Sequence, residues 1–458
     1  MGEICRMPIS NTHLSYEKID VIFNKSKKIF FIGIGGVSMS ALSAYCRFLG
    51  KEIYGYDCAR TSECAKLEKH AVIKYCSTPD SVKGMDLVIY TNAISEDNFE
   101  YVSSKKLKIP TLSRANFLGY LAWRHKRSIA VSGTHGKSTT TAYLARIFDY
   151  AEKNPTVFCG ASMRDYLDSA IFGSRELFIC EACEYMDSFL ELKPSVGCIL
   201  NIEYDHPDYF SNEKRLIDSF ARFSQSCERI VANIDCPNVK KLIECQNHPR
   251  VTTFSLKTRD ADYFGELRGS SFACFCRGKE LFEVSLKSRG THFVYDAMCA
   301  SAVALSEGVS SVTVATALSD ASGVSRRLEF VRKTDTGAHI FEDYAHHPTE
   351  IRATLDALLE TGYRKICCVF QPHTFSRTRY VFEGKCDIFD GCESVYILPT
   401  YAARESFDAS ADSRELAKKC GAVYAPSLPE LCHSLKASQY DCIVFMGAGD
   451  IGCFKKYF

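Results

Sequence analysis

Three stretches of the chain repeat one pattern of positions: an uninterrupted apolar run, a glycine-rich or polar turn, then apolar residues at helical spacing. The first opens at Lys28-Ile29-Phe30-Phe31-Ile32, turns at Gly33 to Gly36 and predicts a helix to about Leu49, with strands at Glu52–Tyr56 and residues 86–90. The second opens at Ser128-Ile129-Ala130-Val131 and predicts a helix through about Tyr150, with strands at Leu177–Glu181 and residues 196–201. A helix over Glu213–Ser226 puts Leu216, Ile217, Phe220 and Phe223 on one face. Residues 251–290 read as short strands with turns, and 295–308 return to helix. The third opens at His339-Ile340-Phe341, with strands at Ile366–Phe370, 395–398 and 443–446 and helices over 349–361 and 413–420. Apolar strands alternating with helices predict parallel sheets covered on both faces. The expected fold is α/β in three domains, over residues 1–124, 125–332 and 333–458.

Composition changes this picture little. A chain of 458 residues exceeds one ordinary core, which agrees with several domains. A formal net charge of +1 supplies no general field for nucleic acid or an anionic membrane. The first twenty residues lack the apolar centre of a signal peptide, and no apolar run reaches the ~18–20 residues of a membrane helix. The expected setting is cytoplasmic, as a monomer or homodimer, with neither nucleic acid nor membrane as partner. The 23 cysteines follow no framework, and several (Cys367, Cys368, Cys442) fall in apolar runs where cysteine packs as a small hydrophobe. The pair Cys180 and Cys183 has no second pair at zinc spacing, so reduced packing cysteines are expected.

Between the second apolar run and its helix stands Gly133-Thr134-His135-Gly136-Lys137-Ser138-Thr139. Glycines there let backbone N–H groups close on phosphate oxygens at a helix N-terminus. Lys137 is spaced to bridge β- and γ-phosphates and the Ser138 hydroxyl to ligate Mg²⁺, so ATP and magnesium are expected. Val131 stands where the generic phosphate loop has its first glycine, and an ordinary strand-to-helix turn is the competing reading. The central domain thus reads as a P-loop ATPase with a parallel sheet and a smaller β region, between N- and C-terminal Rossmann-like domains. In the first of these, Gly33-Ile34-Gly35-Gly36-Val37-Ser38 resembles a dinucleotide fingerprint with Ser38 in place of its last glycine, and Asp57 ends the second strand at a ribose-like distance. This turn predicts a diphosphate at a helix N-terminus. An NAD-dependent oxidoreductase stays open at this point, though it leaves the Lys137 loop without a role.

Polar clusters end other strands. Glu181-Ala182-Cys183-Glu184 and Asn201-Ile202-Glu203-Tyr204-Asp205-His206-Pro207-Asp208 bring carboxylates and imidazole to the ATP domain, a donor set suited to Mg²⁺. Asp343-Tyr344-Ala345-His346-His347-Pro348 and Gln371-Pro372-His373-Thr374-Phe375-Ser376-Arg377-Thr378 follow two strands of the last domain, where open parallel sheets place their sites. For any single residue, solvated loop charge is the alternative.

The ordered set GIGG, GTHGKS, EACEYMDSFL, NIEYDHPD, DYAHHPTE and QPHTFSRT, from Lys28 to about Gly449, closely resembles the Mur ligases of peptidoglycan synthesis. Within that family the likeness is to members that begin the stem peptide. It implies an ATP-dependent ligase joining L-alanine to the lactyl carboxylate of UDP-N-acetylmuramate through an acyl phosphate. A sister activity that attaches a preformed peptide, and a nucleotide-binding regulator without turnover, remain alternatives. The resemblance implies that Gly33, Gly35, Gly36 and Asp57 hold the UDP-sugar, and that the loop from Gly133 to Thr139, with Asp343, holds ATP. It implies Ser138, Glu184 and His206 as magnesium ligands. Tyr344, His346, His373 and Arg377 would surround the amino acid, with Lys137, His346 and Arg377 taking part in catalysis. Departures from the family pattern are Cys183 for a common Asp, Thr374 for an Arg and Phe293 for a frequent Asn. Phe220-Ala221-Arg222 offers no lysine where some relatives carry a carbamoylated one.

Overall fold

The uninterrupted apolar runs become the inner strands of three sheets in a computed structural model, which describes residues 9–382, 386–403 and 405–458. The first eight residues of the stretch read above for a leader lie outside the described residues. The first sheet holds β1 (Lys28–Ile32), β2 (Glu52–Tyr56), β3 (Val72–Lys74), β4 (Leu87–Tyr90) and β5 (Thr111–Ser113) in the order β3-β2-β1-β4-β5, all parallel. Its inner strands are buried on both faces, which is why they read as continuous apolar runs.

The second sheet has ten strands: β6 (Arg127–Ser132), β7 (Thr156–Met163), β8 (Asp168–Ile171), β9 (Leu177–Glu181), β10 (Val196–Ile199), β11 (Ile230–Asn233), β12 (Val251–Ser255), β13 (Tyr263–Arg268), β14 (Ser271–Cys276) and β15 (Lys279–Val284). Their order is β15-β14-β13-β12-β11-β10-β6-β9-β7-β8. The short strands expected over 251–290 are its antiparallel margin, β13 to β15. The helix read as 295–308 spans Thr291–Ser306 and starts directly after Gly290, at φ +129°.

The third sheet follows β16 (Glu329–Lys333), β17 (His339–Asp343), β18 (Ile366–Phe370), β19 (Ser394–Ile397), β20 (Val423–Tyr424) and β21 (Cys442–Met446), ordered β16-β17-β21-β18-β19-β20. β16 pairs antiparallel with β17, so a strand of the third sheet crosses the expected division after residue 332. The first two domains share one apolar cluster that runs from Ile29 and Phe31 to Phe178 and Phe220. Tyr45 carries it across, with its ring 5.6 Å from Phe158 and 5.3 Å from Phe172. Cys180, Cys183, Cys367, Cys368 and Cys442 take part in no disulfide. No helix among the described residues is long and apolar enough to cross a membrane.

Candidate active site

β6 lies between β10 and β9, so the chain leaves it at a point where the sheet's order switches direction, and a crevice opens at the carboxyl ends of these strands. There the turn from Gly133 to Gly136 feeds the helix Lys137–Tyr150, whose first amides have no intrahelical acceptor. Gly136 adopts φ +84°, and a Cβ on it would lie 2.2 Å from Asp296 Oδ1, so both conformation and space require glycine. Val131 is buried inside β6, paired with Cys198 and Glu181; the turn is a shorter one that begins at Gly133. The segment after β10 holds this turn. Asn201 Oδ1 accepts from the His135 amide at 2.8 Å, and Thr134 Oγ1 donates to the Glu203 carbonyl at 3.0 Å.

Lys137 reaches across to the end of β9, its Nζ 3.0 Å from Glu184 Oε2 and 3.1 Å from the Thr134 carbonyl. Burial opposes its charge, but the Glu184 carboxylate raises its pKa above the usual lysine value. Against the same burial, Lys137 and His206 hold Glu184 down to about 2. His206 Nε2 lies 3.6 Å from Glu184 Oε1 and 3.8 Å from Asp205 Oδ2. Ser138 stands beside Lys137, partly exposed. Of the sequence-derived magnesium set, Glu184 and His206 stand together, around a buried carboxylate that a lysine neutralises.

The third domain faces this set with the turns after β17 and β18. Arg377 is not on a solvated helix start: it is buried, and its guanidinium forks onto Asp205 at 2.8 and 3.1 Å. Its remaining nitrogen lies 3.1 Å from His373 Nδ1. Asp205 had no role assigned from sequence, and His206 and Arg377 hold its carboxyl well below the usual range despite burial. His346 and His373 rings are 6.1 Å apart, and Tyr344 lies 5.4 Å from His346. Burial pushes His346 down to about 3 and His373 to about 4, and the Arg377 charge acts in the same direction on both. His346 Nδ1 is 3.0 Å from the Tyr344 carbonyl and 3.2 Å from Glu350, which fixes the hydrogen there and leaves Nε2 as acceptor.

A cavity of about 420 Å³ opens beside the loop, lined by His135, Gly136, Asn233, Lys257, Tyr295 and Asp343. Its size lies within the range of nucleotide and ligand pockets. Phe293, which stands for a family Asn, is a buried wall of this cavity. Asp343 accepts the amides of Leu328 and Ala345, each at 2.7 Å, so the carboxylate expected at the ribose also pins the linker to the end of β17. That linker brings Arg327, a cation the sequence reading did not name, to the cavity wall, where it pairs with Glu350 at 3.2 Å.

The glycine turn of the first domain lies after β1. Gly35 donates its amide to Asp57 Oδ2 at 2.8 Å, so Asp57 is engaged by the turn itself as well as placed near it. A Cβ on Gly35 would lie within 2.9 Å of Cys64, Thr61 and Asp57, whereas one on Gly36 would meet only a backbone oxygen at 3.7 Å. Arg114 reaches Ser38 Oγ at 3.4 Å and supplies the turn with a cation unnoticed in the sequence. At the position without a lysine, Phe220 faces the core and Arg222 lies 3.5 Å from Asp187.

Three family models match the chain: "Mur ligase family, catalytic domain" over residues 28–126, "Mur ligase middle domain" over 131–304 and "Mur ligase, glutamate ligase domain" over 326–449. It is 37% identical over 441 residues to the UDP-N-acetylmuramate–L-alanine ligase of Caldicellulosiruptor bescii, covering 93% of this chain and 96% of the relative. The enzyme of that name from Clostridium acetobutylicum is 36% identical over the same shares of both chains. Among solved structures, the UDP-N-acetylmuramate-alanine ligase of Thermotoga maritima superposes with a TM-score of 0.79 at 28% identity, over 94% of this chain and 98% of that one. A murein peptide ligase from Psychrobacter arcticus shares the fold, with a TM-score of 0.73 at 23% identity over 94% of this chain and 97% of that one.

Proposed function

The chain belongs to the Mur ligase family, and we propose that it is an ATP-dependent ligase joining L-alanine to the lactyl carboxylate of UDP-N-acetylmuramate, the first stem-peptide step of peptidoglycan synthesis. One observation carries the chemistry. The Lys137 loop, Glu184 and His206 face His346, His373 and Arg377 of the third domain across a single crevice, joined by the buried Arg377–Asp205 pair. A phosphate-binding turn on one wall and a polar, water-excluding acceptor site on the other suit phosphoryl transfer followed by acyl transfer.

In this reading the lactyl carboxylate attacks the γ-phosphorus of ATP and ADP leaves. Lys137 exchanges Glu184 for the phosphates and steadies the charge that spreads over them. The donor set of Ser138, Glu184 and His206 fits a hard divalent cation, since the Glu184 carboxylate lies 3.6 Å from the imidazole and the hydroxyl residue follows Lys137 at the helix start. These residues would hold Mg²⁺, which when bound screens the phosphate charge. The amine of alanine then attacks the acyl carbon, and phosphate leaves. His346, its Nδ1 hydrogen held toward the Tyr344 carbonyl, offers Nε2 as the acceptor for a hydrogen of the attacking amine. Arg377 and Tyr344 bound the space for the amino acid, and Asp343 and the loop from Gly133 to Thr139 hold the nucleotide. Gly33, Gly35, Gly36 and Asp57, with Arg114, form the UDP end.

Phosphate release with UDP-N-acetylmuramate and ATP tests the reading, with alanine, glycine, serine and a stem tripeptide compared as acceptors. Alanine is expected to give the highest kcat/KM. A preference for the tripeptide would replace this reading with the peptide-attaching one, and tight NAD binding at the Gly33 turn would revive the oxidoreductase.

A further inference from the structure

Next to the nucleotide cavity, and sharing no residue with the magnesium set, three side chains from two domains point at one another. His135 comes from the turn after β6, Glu203 from the segment after β10, and His347 from the cap of the helix Pro348–Glu360. One ligand atom of each lies within 4.8 Å of the others. His135 Nε2 is 3.4 Å from Glu203 Oε2, and His347 Nδ1 is 3.8 Å from the same oxygen.

The outer side of each ring explains why these nitrogens face inward. His135 Nδ1 lies 3.2 Å from Glu350 Oε1, and His347 Nε2 lies 3.3 Å from the Tyr204 carbonyl. The Tyr204 carbonyl draws the His347 ring hydrogen outward, and the inner Nδ1 keeps a lone pair that accepts the Thr349 amide at 3.3 Å. His135 lies between two carboxylates, so a metal at its Nε2 takes the place of a proton. This carboxylate- or carbonyl-backed imidazole is the arrangement that orients histidine on a metal. His135 Nε2 is buried and makes no well-formed hydrogen bond, facing the Glu203 carboxylate as an ion pair at 3.4 Å. Two imidazoles and a carboxylate favour a borderline transition metal over Mg²⁺ or Ca²⁺. Tetrahedral ligands about 2.1 Å from a metal stand roughly 3.4 Å apart, a spacing the two Glu203 contacts already approach.

We infer that His135, Glu203 and His347 form a site for one divalent transition-metal ion of the Zn²⁺ or Co²⁺ class, bridging the ATPase and C-terminal domains. With two ligands on the phosphate-loop side and one on the closing domain, an ion there pins the crevice shut. The site is therefore a place where such a metal restrains the opening on which product release depends.

Co²⁺ titration of the purified protein in excess Mg²⁺ tests this, because cobalt reports its ligands by its spectrum. One Co²⁺ per chain is expected, with visible d–d bands and no near-ultraviolet thiolate band, a needed control in a protein rich in cysteine. His347→Asn keeps a helix-capping side chain while removing the imidazole. It and Glu203→Gln should each weaken cobalt binding by more than about tenfold, whereas Glu184→Gln leaves it unchanged. A thiolate band on the first equivalent overturns the site. So does unchanged binding in His347→Asn with native circular dichroism; should that variant not fold, unchanged binding in Glu203→Gln decides against it equally.

Discussion

Lys137 and Glu184 form a buried pair, and that changes what a substitution at either one reports. Removing one partner of such a pair leaves a buried charge alone, a loss of about 3–5 kcal/mol. Lys137→Met is therefore expected to lower both stability and turnover, the latter by roughly 10²–10³. The double variant Lys137→Met/Glu184→Gln should regain much of the stability in urea and none of the phosphate release. Near-normal turnover in Lys137→Met would remove the loop as the ATP site, and a double variant no more stable than the single would deny the pair. Arg377 poses a similar question, since its fork is held by Asp205. Arg377→Lys keeps the charge and loses the planar fork. It is expected to raise the KM for alanine and to lower kcat, because one guanidinium both ties the domains and borders the acceptor site. Steady-state kinetics that leave both unchanged would exclude it from the reaction. The sequence could name Lys137, Glu184 and Arg377 as chemistry at strand ends. It could not show that Asp205 takes the Arg377 fork, because partners 172 residues apart meet only once two domains are in place.

Among the elements, the turn after β1 offers the sharpest test. Gly35 is required by its neighbours, so Gly35→Val would disturb the domain with or without ligand. Gly36 caps the helix Val37–Phe48 with open space around it. Gly36→Ala should fold normally and still crowd a diphosphate that approaches the helix amides. Calorimetry is expected to show weakened UDP-sugar binding, by about tenfold or more if the methyl shortens the contact with the backbone, and unchanged ATP binding. Equal affinity for the UDP-sugar in Gly36→Ala would move the diphosphate elsewhere. The elements that were legible in sequence are those whose pattern is set by burial alone. β1, β2, β9, β18 and the helix Glu213–Ser226 fall where their apolar runs or faces predict. β7 escaped because Gly160 interrupts its run and the register with β8 shifts between Phe158 and Met163. The helix Tyr16–Lys25 escaped because just Ile19 and Phe23 of its ten residues are buried.

For the whole molecule, three α/β units were visible in the pattern, but their mutual packing was not, and it is the packing that buries so many ionisable groups between the second and third. Those groups set a pH profile. His346 is held near 3 and His292, His347 and His373 near 4, each chiefly by burial, so all four stay neutral in the fold. The unfolded chain protonates them near 6.5, and stability is lost as pH falls from there toward 4, by up to roughly 1.4 kcal/mol per histidine per pH unit. On the other side, burial resists a charge on His135, but Glu203 and Glu350 raise it to about 9. Its contribution is complete below 6.5 and fades as pH rises through 9. Asp296, pushed up by burial to about 8, keeps its proton in the fold while the unfolded chain releases it near 3.8, so it too lowers stability as pH rises toward 8. Between 4 and 6.5 four histidines outweigh Asp296 and Asp343, the latter raised by burial to about 6; above 6.5 His135 and Asp296 act together. The urea midpoint of the ligand-free protein is therefore expected to peak near pH 6–7 and to fall on both sides. His135→Gln should flatten the limb between 6.5 and 9 while sparing the acid limb. An alkaline limb that survives that substitution intact would mean that His135 is not charged between Glu203 and Glu350.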